Sequence, residues 1–239
     1  MGDIDPGQLA VSLVIVLVPM ILSLTVHEYA HALSARALGD DTARLLGRLN
    51  LNPASHIDPI GTLLVPSAII LMSIGNLAVP FFGWAKPIPV NPLKFTRRIT
   101  MLRGMMLTAA AGPLANLGLA LLFLAILAGL HHGTLLTKLP EPVGIFCNLM
   151  VWINLMLAAF NLLPLYPLDG QKVVAGLLGD ELGPRFDALT QRLGSLGLLL
   201  VIFFGWRYLA QPITTVYWLL SHELFGIPRV TLVALFPAT

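Results

Sequence analysis

The stretch LAVSLVIVLVPMILSLTVHEYAHALSA, residues 9–35, is long and apolar enough to cross a membrane as a single helix. A spanning helix needs about 20 mostly apolar residues. The second half of the stretch nevertheless contains His27, Glu28 and His31. Ionisable side chains are costly inside a bilayer and mark functional sites there. The stretch therefore predicts a transmembrane helix that carries a polar site near one end.

The composition extends this interpretation to the whole chain. Of the 239 residues, 56% are hydrophobic and 11% are charged, and the mean hydropathy is +0.83. Soluble domains carry about 25% charged residues, so this chain could not cover a soluble surface. We expect an all-α polytopic membrane protein with four to six transmembrane helices. The formal net charge of +2 gives no indication of a nucleic-acid partner, and the single cysteine, Cys147, excludes an intramolecular disulfide and a multi-thiolate metal site.

Apolar stretches of sufficient length occur at about 9–37, 106–130, 144–165 and 194–220. The last one is interrupted by Arg207 and Pro212, so it is either one tilted span or a shorter span followed by an amphipathic or returning helix. Pro113, beside Gly112, is expected to begin the helix of the second stretch. We expect one membrane-embedded domain over residues 1–239, with a core at about 9–175 and a C-terminal helical segment at about 194–239.

The segment 60–92 is apolar at first and then rich in proline. Its end, FFGWAKPIPVNP, favours extended chain over helix. If the segment returns to the side it left, nearly all lysines and arginines between residues 36 and 192 lie on one face of the membrane, as the positive-inside rule prefers. We therefore predict a re-entrant, extended segment, a multi-pass protein of the cell membrane, an N-terminus outside and a polar site near the cytosolic side.

His27 and His31 are four residues apart and project from the same face of a helix. Two imidazoles in this register can bind one Zn²⁺, and Glu28 beside them can reach the attacking water. The alternative is that the histidines only form hydrogen bonds to neighbouring helices. Two histidines and a glutamate in this register within lipid favour the metal site.

A catalytic zinc usually has three protein ligands and one open position. Asp169 is the strongest candidate for the third ligand, because it follows an apolar helix in NLLPLYPLDG, where prolines end the helix and Gly170 permits a sharp turn. In the re-entrant topology the 144–165 helix runs parallel to the first one, so Asp169 emerges on the side of the histidines. An ordinary helix terminus with a solvated aspartate is the alternative.

HEYAH together with NLLPLYPLDG resembles the paired signature of the site-2 protease family, the intramembrane zinc metalloproteases. GPLAN, residues 112–116, resembles a further segment of that family, and the similarity covers most of residues 20–175. The resemblance is to a compact member without a PDZ or CBS domain. It implies one zinc per chain bound by His27, His31 and Asp169, with Glu28 as general base. It also implies transmembrane protein substrates within the lipid bilayer and a possible separate regulatory protein.

Other polar residues are weaker candidates. Asn116 and Asn161 are possible oxyanion or substrate-positioning donors, with interhelical hydrogen bonding or helix capping as the alternative. His56 and Asp58, at the entrance of the re-entrant segment, are possible accessory residues or simply a satisfied interfacial pair.

Two rival functions follow from the same residues. A membrane peptidase of another type would take its third ligand from a downstream glutamate such as Glu181. A zinc-binding transporter or an inactive chaperone-like relative is the non-enzymatic alternative. Transport would require polar residues along the 106–130 and 194–205 helices, which offer almost none, and an inactive relative would be expected to lack Glu28.

Overall fold

The structure is a computed structural model that describes residues 6–74, 82–132 and 141–224. The helices are α1 (Pro6–Ala37), α2 (Thr42–Leu45), α3 (Val65–Ile74), α4 (Met101–His132), α5 (Glu141–Asn161), α6 (Asp169–Leu200) and α7 (Trp206–Trp218). Short 3₁₀ turns occur at Pro53–Ser55 and Pro92–Lys94, and π-helical turns at Pro59–Leu64, Val201–Gly205 and Leu219–Leu224. Within the described ranges there is no β-strand.

By length and composition, the helical stretches that could cross a membrane are Leu9–Ala37, Met101–Gly129, Pro142–Asn161 and Asp169–Gly205, the last of which is interrupted at Gly179 and Gly194. They confirm the prediction of an all-α polytopic membrane protein. The buried apolar core lies between α1, α4, α5 and α7, around Met20, Leu124, Leu149 and Tyr217. These helices form the frame that carries the polar residues of α1.

The contacts of α1 with α4 run in opposite order along the two helices. His27 lies beside Asn116, whereas His31, one turn further along α1, lies beside Thr108, two turns earlier on α4. The two helices are therefore antiparallel. Consequently α4 begins on the side of the bundle where α1 ends.

The segment between α1 and α4 leaves that side and returns to it. The Thr96 N–H donates to the Leu38 carbonyl oxygen at 2.7 Å, so the two ends of the segment lie together. In between, the turn Pro59–Leu64 and α3 lead away, and the chain comes back in extended form, with the Trp84 N–H donating to the Gly61 carbonyl oxygen at 3.1 Å. The described residues of this segment therefore leave one side of the bundle and come back to it, whereas its re-entry into a membrane stays a prediction. Residues 75–81 lie outside the described ranges, as do 133–140 and the termini 1–5 and 225–239.

Helix α6 is a hairpin followed by a further break. Gly179 and Gly194 have φ values of +76° and +55° inside it, which favour glycine. The Gln171 side-chain Nε2 donates to Asp187 Oδ1 at 2.7 Å. In a straight helix residues 16 positions apart would be separated by about 24 Å. The stretches 169–178 and 180–193 therefore pack against each other in antiparallel fashion.

The helical chain after Gly194 runs along α5 in the opposite direction. Its beginning at Gly197 lies near Leu165, just beyond the end of α5, while the Tyr217 hydroxyl donates to Asn148 Oδ1 at 2.8 Å near the start of α5. A single run from Leu165 back to Asn148 along α5 favours one span for the predicted stretch 194–220. It does not fit a short span with a returning helix.

The expectation that Pro113 begins a helix is wrong. Helix α4 begins at Met101 and contains Pro113 in its interior. A proline inside a membrane helix is tolerated where neighbouring helices satisfy the freed backbone groups. Gly112, the residue before this proline, faces His27 and His31 of α1.

Candidate metal centre

Three ligand-type atoms from distant parts of the sequence converge at one point. The Nε2 atoms of His27 and His31 are 3.0 Å apart, and each lies 3.2 Å from Asp169 Oδ2. A tetrahedral zinc with bonds of about 2.0–2.1 Å would hold its ligand atoms about 3.3 Å apart. Asp169 Oδ2 is buried and finds no hydrogen bond of suitable geometry among the described residues. This donor set fits zinc.

The hydrogen bonds behind the two imidazoles leave both Nε2 atoms available. His27 Nδ1 lies 2.6 Å from Asn116 Oδ1, and His31 Nδ1 lies 2.7 Å from the Thr108 carbonyl oxygen. Both partners are acceptors, so each Nδ1 carries the hydrogen. Each Nε2 then directs a lone pair into the site, which is the tautomer that a metal ligand requires.

Asp169 reaches the histidines because the chain turns sharply after α5. A Cβ atom on Gly170 would lie 2.2 Å from the Leu162 carbonyl oxygen, so only glycine permits this close approach. Asp169 is the first residue of α6, and its side chain is 16% exposed. The turn therefore brings a carboxylate back toward the buried face of α1.

Gly112 allows α4 to pack directly on the two imidazoles. A Cβ atom at this position would lie 2.4 Å from His31 Nε2 and 2.6 Å from His27 Cε1. Both contacts are far shorter than van der Waals distance. The absence of a side chain at residue 112 is therefore a condition for the observed arrangement of the histidines.

The Gly112→Ala variant is expected to weaken zinc binding by about 10-fold or more, because the added methyl group must displace at least one ligand ring. The measurement is zinc affinity of the purified protein by competition with a chelating dye. Gly118→Ala on the same helix is the matched control, since a Cβ atom there meets no described atom within 4 Å. Equal zinc affinities of the two variants would contradict the packing role assigned to Gly112.

Glu28 is buried beside the histidines, and its position is fixed by the extended segment. Its Oε2 accepts a hydrogen bond from the Ile88 N–H at 2.9 Å. Ile88 lies between Pro87 and Pro89, which have no N–H, so this amide is the single backbone donor of the PIP tract. The ligand-type atoms of Glu28 and the two histidines lie within 4.8 Å of one another. The contact with Ile88 leaves Oε1 of Glu28 for a water or substrate.

His56 and Asp58 belong to the framework of the re-entrant segment. His56 Nε2 lies 2.9 Å from the Asn50 carbonyl oxygen, and the His56 carbonyl oxygen accepts from the Lys86 N–H at 2.9 Å. Asp58 Oδ1 accepts from the N–H groups of Ile60 and Gly61 and so caps the turn Pro59–Leu64. The structure gives both residues local partners and places them outside the cluster formed by the histidines and Asp169.

The two asparagines differ in their surroundings. Asn116 is fully buried and engages both His27 and Asn154, the latter through Nδ2 at 2.8 Å. Asn161 ends α5 and donates to the Leu157 carbonyl oxygen of its own helix at 2.9 Å. The oxyanion role offered for these residues stays a prediction.

Sequence reasoning missed three contributors to this centre, namely Gly112, Asn154 and Ile88. Asn154 is a polar residue within an apolar helix, and this signal alone could have identified it. The contacts of Gly112 and Ile88 depend on how distant segments pack, so no local sequence pattern predicts these contacts.

Comparison with known proteins gives one consistent result. The sequence profile described as Peptidase family M50 matches residues 140–203. YwhC of Bacillus subtilis (strain 168) is 40% identical over 163 residues, which cover 67% of this chain and 68% of YwhC. Rip2 of Mycobacterium tuberculosis (strain H37Rv) is 28% identical over 233 residues, covering 92% of this chain and 80% of Rip2. Both relatives carry the name "Putative zinc metalloprotease". No solved structure matches this chain.

Proposed function

Because this chain belongs to peptidase family M50 and is a zinc metalloprotease, we propose that it hydrolyses peptide bonds in or near transmembrane segments of membrane proteins. The observation that carries this proposal is the position of the histidines. Both are buried in a helix that is long and apolar enough to span a membrane, and His31 lies six residues, or about 9 Å, before the helix end at Ala37. A hydrolytic centre at that depth suits a bond within or close to a membrane segment.

We assign zinc binding to His27, His31 and Asp169, whose ligand atoms have the required spacing. Zinc, when bound, supplies Lewis-acid polarisation of a carbonyl and makes water a stronger acid. Side chains and backbone groups of the chain orient the ligands. Thr108 and Asn116 hold the imidazoles in the ligand tautomer, and the Gly170 turn presents the carboxylate.

Glu28 is assigned as the general base. Its Oε2 is held by the Ile88 N–H, so Oε1 is the atom that accepts the proton of the attacking water. Attack forms the new C–O bond, and the same carboxyl then returns the proton to the nitrogen of the departing amine as the C–N bond breaks. Asn116 already bonds His27 and Asn154, so we assign it to orientation and keep Asn161 as the candidate oxyanion donor.

The extended segment 82–91 is a candidate surface for an unwound substrate. Trp84, Lys86 and Ile88 direct their N–H groups to Gly61, His56 and Glu28. Alternate residues of an extended chain face opposite ways, so the other edge points away from these partners. A helical substrate keeps its amides in its own hydrogen bonds, and donation of its freed N–H groups to the carbonyl oxygens of this edge would hold it open next to Glu28.

We further propose a multi-pass protein of the cell membrane with its site near the cytosolic side and its N-terminus outside, because this orientation obeys the positive-inside rule. The partners are transmembrane protein substrates and the surrounding lipid, with a separate regulatory protein as a further candidate.

Zinc removal tests the proposal. The purified full chain, incubated in detergent with a panel of single-span membrane proteins, is expected to cleave at least one of them in or near its membrane segment. A zinc chelator should abolish the cleavage, and added Zn²⁺ should restore it. The products are located by mass spectrometry. Cleavage that persists after complete zinc removal, or its absence from the whole panel with zinc bound, would contradict the proposal.

A further inference from the structure

We infer that Asn154 and Ser23 are positioning residues of the zinc site, which act on the His27 imidazole through Asn116. The inference rests on the assignment of His27 as a zinc ligand. It concerns residues on α5 and α1 that touch neither the metal position nor the other ligands. Their role is to determine which ring nitrogen of His27 carries the hydrogen.

A continuous line of hydrogen bonds carries this effect. His27 Nδ1 lies 2.6 Å from Asn116 Oδ1, and Asn116 Nδ2 donates to Asn154 Oδ1 at 2.8 Å. Asn154 Nδ2 then donates to Ser23 Oγ at 2.8 Å. Ser23 is one helical turn before His27, so the line crosses from α1 to α4 and α5 and returns to α1.

The polarity of this line is fixed at its far end by backbone carbonyl groups, which can only accept. Ser23 Oγ donates to the Pro19 carbonyl oxygen at 2.8 Å, and Asn154 Nδ2 also donates to the Met150 carbonyl oxygen at 2.7 Å. Asn154 must therefore direct its NH₂ group toward Ser23 and Met150. Its oxygen consequently faces Asn116.

The orientation of the Asn154 amide determines the orientation of the Asn116 amide, and through it the tautomer of His27. Because Asn154 offers an oxygen, Asn116 must turn its NH₂ group toward it and its own oxygen toward His27. The His27 Nδ1 atom must then carry the hydrogen, and Nε2 keeps its lone pair for the metal. A reversed Asn116 amide would favour the other tautomer, with a hydrogen on Nε2 pointing at the metal position.

Burial makes the arrangement unique. Ser23, Asn116 and Asn154 are all 0% exposed, so water cannot replace a missing partner. A fully satisfied buried network holds one arrangement, because any reversal leaves a buried polar group unpaired. His31 needs no such line, since its Nδ1 bonds directly to the Thr108 backbone carbonyl oxygen.

Asn154→Leu is the principal test, and Asn148→Leu is its matched control. Asn148 is also buried on α5, but its side chain bonds the Gly144 carbonyl oxygen and the Tyr217 hydroxyl group. We expect Asn154→Leu to weaken zinc binding by about 10-fold, at the low end of the range for partners behind metal ligands, and Asn148→Leu by less than about 2-fold. Zinc affinity is measured by competition with a chelating dye. The thermal midpoint of each zinc-free protein reports general destabilisation, which we expect to be similar.

A milder pair keeps the test available if Asn154→Leu does not fold. Ser23→Ala should weaken zinc binding by about 3-fold, whereas Thr25→Ala, whose hydroxyl bonds the Ile21 carbonyl oxygen, should not. Equal zinc affinities within each pair would overturn the inference. His27→Ala separates this failure from that of the proposed function. If His27→Ala loses zinc and Asn154→Leu does not, only the line of hydrogen bonds is refuted; if His27→Ala keeps zinc, the ligand assignment fails as well.

Discussion

Glu28→Gln is expected to lower the rate of peptide hydrolysis by about 100- to 10,000-fold while zinc stays bound. Glutamine has nearly the shape of glutamate, and its amide oxygen can still accept the Ile88 N–H. It cannot, however, take up the proton of the attacking water. The loss should therefore appear in kcat, measured on a substrate from the cleaved panel, with little change in the zinc content.

Glu181→Gln provides the control for Glu28→Gln. Glu181 is exposed on α6. It is the downstream glutamate that a membrane peptidase of another type would use as its third zinc ligand. We expect this variant to keep both its zinc and its activity. A Glu28→Gln protein that cleaves at the wild-type rate would remove the general-base assignment, and loss of zinc from Glu181→Gln would favour the rival ligand set.

Asp169→Asn is expected to weaken zinc binding by about 100-fold or more. Structural zinc in zinc-finger peptides binds with about 10–16 kcal/mol through four ligands, which is about 3 kcal/mol per ligand on average and sets the scale of the expected loss. The amide is neutral and a poorer ligand, and it leaves the two imidazoles without the carboxylate that lies 3.2 Å from each. The measurement is equilibrium zinc affinity, followed by activity at saturating zinc.

Asp180→Asn is the matched control for Asp169→Asn, because it removes a carboxylate from an exposed position on the same helix. We expect it to bind zinc as the wild type does. If Asp169→Asn retained wild-type zinc affinity, the third ligand would have to come from another residue.

Local helix geometry in the sequence predicts part of the side-chain cluster that the structure shows. The register of His27 and His31 places both imidazoles on one face of a helix whatever surrounds them. The prediction of Asp169 also depends on topology, because Asp169 reaches the histidines only if α1 and α5 run in the same direction. The distribution of basic residues indicated that direction, and the meeting of Leu38 and Thr96 agrees with it.

The remaining features depend on long-range packing, which no local pattern reveals. Gly179 lies between two helical stretches, where its positive φ reverses the chain and lets Gln171 meet Asp187. The sequence around Pro113 favours a helix start. A proline in the middle of a helix depends on neighbouring helices, and the sequence of this segment alone does not show them. Asn154 stands out in the sequence as a polar residue in an apolar helix, but its partners lie on two other helices and could not be named from its own segment.

Zinc K-edge X-ray absorption of the purified full chain identifies the atoms bound to the metal. We expect one zinc per chain with two imidazole ligands and oxygen ligands at about 2.0–2.2 Å, and loss of this zinc signal in His27→Ala. A spectrum with sulfur ligands, or one in which both imidazoles persist in His27→Ala, would contradict this expectation.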